Sequence, residues 1–128
     1  MSRKPSEFLM HPVSFPEAQA VGLMRAVGKN AIDGDKLDVL IDLGFLCYAY
    51  EAVRLRDFEA PERAGVSRER AIECRARVAS LTHGQPLLIR SYQDTHAIGA
   101  FAVDVLVMDG SRGWRSLVEL LLAEGWYE

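Results

Sequence analysis

The chain has 128 residues, enough for one domain and too few for two comfortable ones, and 49% of them are hydrophobic, so a real core is expected. A net charge of −3 argues against a dedicated nucleic-acid binder, which carries a basic excess. No apolar stretch is long enough to span a membrane, and Phe8-Leu9-Met10 is far shorter than the hydrophobic core of a secretory leader. The expected location is therefore cytoplasmic.

Residues 1–17 carry Pro5, Pro12 and Pro16 among polar residues without any period, and read as an extended arm before a domain spanning residues 18–128. Such an arm is expected to engage a protein partner or a neighbouring copy. Ala20 to Val27 reads as a strand and Gly28-Lys29-Asn30 as a turn. Leu37, Val39, Ile41 and Leu43 then alternate with Lys36, Asp38, Leu40 and Asp42, the pattern of a half-buried strand, until Gly44 breaks it. Tyr48 to Asp57 is a third strand, with Val53 and Leu55 inward and Arg54 and Arg56 on the other face.

Ser67 is placed to cap a helix running to about Leu81, with Ala71, Cys74, Val78 and Leu81 as its apolar stripe. Most of Arg70, Glu73, Arg75 and Arg77 read as a solvated face, and Gly84 as the stop. Pro86 to Tyr92 and Ile98 to Val107 are the fourth and fifth strands, the latter with Phe101, Val103, Val105 and Val107 on one face. Asp109-Gly110 turns the chain, and Leu117, Leu120 and Leu121 mark a short helix ended by Gly125. Cys47 and Cys74 have no metal-ligand spacing and read as buried free thiols. His11 and His83 look incidental. The order predicts a mainly β fold with helices (α+β). It is a five-stranded Greek-key barrel of the OB type, with one helix inserted between the third and fourth strands.

Two segments about twenty residues apart carry chemistry: Ile32-Asp33-Gly34-Asp35, and the run from Arg54 to Glu62 that ends Ala60-Pro61-Glu62. They put carboxylates and an arginine where two neighbouring strands end, as a metal-dependent phosphodiesterase requires. Asp33-Gly34-Asp35 opens a strand, Arg54 lies seven residues before Pro61, a helix follows, and a helix end runs from Leu120 to Gly125. In this order and spacing the chain, from about Ala20 to Trp126, resembles the staphylococcal nuclease (thermonuclease) family. The run Ile41-Asp42-Leu43-Gly44-Phe45 also looks like nuclease-like proteins of phages.

The resemblance implies a calcium ion held by Asp35, Glu59 and the Ala60 carbonyl, with Glu59 standing where the family has an aspartate. It implies Glu62 as the residue that orients water and Arg54 as a phosphate clamp. The family's second catalytic arginine matches Ala100 in Ile98-Gly99-Ala100, and its phosphate-gripping lysine matches Ala97. One arginine in phosphoryl transfer is worth on the order of 10³ in rate. The expectation is therefore a degenerate site in a structural or binding module, a candidate phage virion component, with calcium lost. The alternative is an active calcium-dependent nuclease whose missing cation comes from Arg56, Arg112 or a partner chain. Tyr48 and Tyr50, with Phe45 and Arg56, are the residues from which a nucleic-acid face or a protein interface would be built.

Overall fold

Apolar residues at every second position decide which side of each strand faces inward. In the computed structural model, which describes residues 20–61, 68–97 and 100–127, β1 (Ala20–Asp33), β2 (Lys36–Gly44) and β3 (Cys47–Leu55) form an antiparallel meander. Leu37, Val39 and Ile41 on β2 and Val53 and Leu55 on β3 are buried, while Lys36, Asp38, Tyr50 and Arg54 occupy the other face. Helix α1 (Arg68–Thr82) follows, then β4 (Pro86–Ala97) and β5 (Ala100–Met108). A 3-10 turn (Gly110–Arg112), a short β6 (Trp114–Ser116) and helix α2 (Leu117–Ala123) complete the described chain.

β4 pairs antiparallel with both β1 and β5, and β5 closes the circle by pairing parallel with β3, Val53 against Phe101 and Leu55 against Val103. The result is a closed five-stranded mixed barrel with α1 inserted between β3 and β4, an α+β barrel of the OB type. Inside it Leu37, Val39, Ile89, Val103, Val105 and Val107 meet Cys74 and Val78 of α1 and Leu117 and Leu121 of α2. Each such side chain contributes about 1.5–3 kcal/mol on burial. The N-terminal arm, the Ser67 cap, His11 and the Ile98-Gly99 pair lie outside the described residues.

Three expectations are corrected. Gly28-Lys29-Asn30 is no turn: β1 runs through it, with a bulge where the register shifts between Gly28 and Ala31. Gly28 serves close approach instead, since a Cβ there would sit 1.9 Å from the Thr82 carbonyl oxygen at the end of α1. β6 was not foreseen; three residues are too few to show a period. Cys47 is exposed, because it belongs to the outward tip of a hairpin, whereas Cys74 is buried as expected.

The polar residues around α1 form the expected exposed face, and several of them also fasten neighbouring segments. Arg75 Nε donates to the Ala31 carbonyl at 2.8 Å, and His83 Nδ1 to the Lys29 carbonyl at 2.8 Å, on the stretch of β1 past Val27 where its pairing with β4 has ended. Arg77 makes a two-pronged contact to Glu124, at 2.9 and 2.8 Å, and Arg70 donates to the Gly125 carbonyl while lying over the Trp126 ring at 5.0 Å. Trp126 is thereby held against the core. Among the described residues no helix is long and apolar enough to cross a membrane.

Candidate functional site

The hairpin turn Gly34-Asp35 joins β1 to β2 and is clamped on three sides. Leu55 N–H donates to the Asp35 carbonyl at 2.8 Å, Ala60 N–H donates to the Asp35 carboxylate at 3.4 Å, and α1 closes over the turn. A Cβ at Gly34 would meet Cys74 Sγ at 2.5 Å and Ala60 Cβ at 2.8 Å, so only glycine admits that approach. The two segments singled out in the sequence therefore do meet. Burial and the nearby Asp35 charge, opposed in part by Arg70, push the Cys74 thiol up to about 11.

Beyond Leu55 the chain leaves the sheet. Arg56 N–H donates to the Val103 carbonyl at 2.9 Å, and Asp57 then adopts φ 60°, a left-handed conformation that aspartate tolerates. This reversal buries Phe58 and Pro61 and leaves Glu59 exposed. Arg54, Arg56, Asp57 and Glu59 line an open cleft of about 560 Å³, with Ala102 beside Arg54 across the β3–β5 pairing. Lys36 lies directly opposite Arg54 on β2.

Two guanidinium groups thus share the cleft. The Arg56 guanidinium lies 4.1 Å from the centroid of the Tyr92 ring, and the Tyr92 hydroxyl in turn donates to Asp104. The Tyr92 contact was not anticipated; its signal would have been an aromatic at the same barrel level on the strand beside β5. Arg112, by contrast, sits beyond the far end of β5, and the five steps from Val103 to Met108 span roughly 16 Å of strand. Ala100 opens β5 two positions before Ala102. Glu62 and Gly99 lie outside the described residues.

Asp35, Glu59 and the Ala60 carbonyl offer two carboxylates and one carbonyl, whereas calcium takes about 6–8 oxygens. Among the described residues no three acidic, histidine or cysteine side chains converge to hold a metal. The Asp35 carboxylate is turned toward the Ala60 N–H. This donor set fits calcium poorly.

The outer face of β3 carries Tyr48 and Tyr50, each 57% exposed. Asp42 lies across from Tyr48, and the Tyr50 hydroxyl donates to Asp38 at 3.4 Å. Carboxylates flank both rings, so a phosphate backbone passing over them meets repulsion. The hairpin tip between β2 and β3 is apolar: Phe45 is 100% and Leu46 90% exposed. Both have positive φ, 54° and 61°, the geometry of a two-residue hairpin loop that favours Asn-Gly. Leu46 was not foreseen as exposed. Compared with known proteins, the chain matches no family model and no curated protein.

Proposed function

We propose that this chain is a catalytically degenerate, nuclease-like barrel that serves as a structural or binding module, docking a protein partner as a component of a phage particle and retaining no calcium. The observation that carries the reading is the Phe45–Leu46 tip. Two large apolar residues are held fully in solvent in a backbone conformation that costs about 1–3 kcal/mol per residue for side chains of this kind. Neither the exposure nor the strain helps the barrel fold, and an exposed apolar patch of this sort marks an interaction site. The poor calcium donor set and the stacking of Arg56 on Tyr92 support the loss of chemistry.

A second reading, an active calcium-dependent nuclease, is favoured by one observation: Arg54 and Arg56 share a cleft with Glu59, close to where Asp35 contacts Ala60. Incubation with single-stranded DNA and calcium separates the two. The module reading expects no cleavage above that of Glu62→Ala. Chelator-sensitive cleavage by the wild type that disappears in Glu62→Ala would overturn it.

A further inference from the structure

The mouth of the barrel, at the end where β1 and β4 begin their pairing at Ala20 and Tyr92, holds an open pocket of about 350 Å³. It is separate in lining from the Arg54 cleft. Ile41, Val53, Ile89 and Val103 form its inner walls, all of them buried core residues. Among the described residues that line it, Glu51 is the only charged side chain. The volume falls at the low end of small-ligand pockets, about 300–1,000 Å³.

Glu51 occupies a position where period two calls for an apolar residue. It lies between Ala49 and Val53 on the inward-facing side of β3, and its cross-strand partner is Val39, which is fully buried. Lys36 and Arg54 are on the opposite face of the sheet, and the nearest basic group to the lining is the Arg56 guanidinium, which is stacked on the Tyr92 ring and is not itself part of the lining. Glu51 makes no hydrogen bond or ion pair with any described residue, although it is half-buried. A carboxylate in an apolar wall loses hydration with nothing to replace it, and a cation arriving with its own apolar body supplies what is missing.

We infer that the barrel mouth is a binding site for a small organic ammonium ion, one whose apolar ring or alkyl body fills the cavity while its charged nitrogen pairs with Glu51. The apolar walls select against inorganic cations, which lose their own hydration there. The carboxylate selects against neutral and anionic molecules of the same shape.

The test is a titration of the full chain, followed by backbone amide NMR, with 3-phenylpropylammonium, 3-phenylpropan-1-ol and 3-phenylpropionate as probes. The ammonium should bind roughly tenfold or more tighter than the alcohol, the increment of one charge-assisted contact. The carboxylate should bind weakest. Shifts should concentrate at Ile41, Glu51, Val53 and Val103. Glu51→Gln should bring the ammonium down to the level of the alcohol and leave the alcohol unchanged. Ala49→Phe, at the half-buried rim of the cavity, should block all three, and it serves in place of Glu51→Gln should that variant fail to fold. Equal binding of ammonium and alcohol would overturn the inference. So would shifts centred on Asp38 and Asp42, unchanged ammonium affinity in a folded variant, or no binding of any probe.

Discussion

A methyl group at Gly28 would lie 1.9 Å from the Thr82 carbonyl oxygen, a backbone atom that cannot rotate away. Gly28→Ala therefore has to lift the end of α1 from β1, breaking the Gly28–Gln85 and Gly84–Gly28 backbone hydrogen bonds at 3.1 and 2.9 Å. The expected cost is about 3 kcal/mol, read as a lower midpoint in urea. The two cysteines give a second residue-level test. Cys47 is exposed and Cys74 buried, so an alkylating thiol reagent at pH 8 should modify one thiol in the native protein and both in denaturant. Burial holds the Cys74 thiol above its ordinary value. The neutral thiol is favoured in the folded state, so its contribution is complete below the ordinary value of 9.0 and is lost as pH rises toward about 11. Stability should therefore fall between these values, and Cys74→Ala, though less stable throughout, should show a shallower decline.

Strands β2 and β3 are joined by a loop whose sequence and conformation disagree. Gly44 N–H is held by the Asp42 carboxylate at 2.8 Å, and Gly44 itself adopts φ 82°, so the chain enters the tip already committed to the turn. Phe45 and Leu46 then take left-handed values that Asn and Gly accept at little cost. Replacing them together, Phe45→Asn with Leu46→Gly, should stabilise the isolated protein by about 1–2 kcal/mol, seen as a higher melting temperature. A lower melting temperature would show that the tip contributes to folding and would remove the main support for an interaction role.

Across the molecule, the C-terminal segment is anchored in the barrel by Leu117 and Leu121, and α1 adds a polar tie to its last residues. The Arg77–Glu124 contact holds the Glu124 carboxyl below its ordinary value, chiefly through the Arg77 hydrogen bond and with help from Trp126 Nε1–H at 3.1 Å. A depressed carboxyl value means that this contribution is present above the ordinary 4.5 and is lost as pH falls through it. Both partners are about a third exposed, so the pair is worth only about 0.5 kcal/mol. Arg77→Ala should lower stability slightly at pH 7 and by less at pH 3, measured by urea denaturation at each pH.

The sequence by itself determined the strands and their inward faces, because period two records burial directly: Leu37, Val39, Ile41, Val53 and Leu55 were readable from alternation and are buried. It also determined that the Asp33-Gly34-Asp35 and Arg54 to Pro61 segments belong to one place, since a two-residue turn and a strand exit leave little freedom. Only the tertiary structure decided what long-range contact decides. Gly28 reads as a turn until the end of α1 is seen resting on it. Arg70 and Arg77 of α1 read only as an exposed face until the C-terminal segment is seen bonded to them. Arg56 reads as a free cation until Tyr92 is beneath it. In each case the deciding neighbour is at least 36 residues away in the chain, and local pattern carries no record of it.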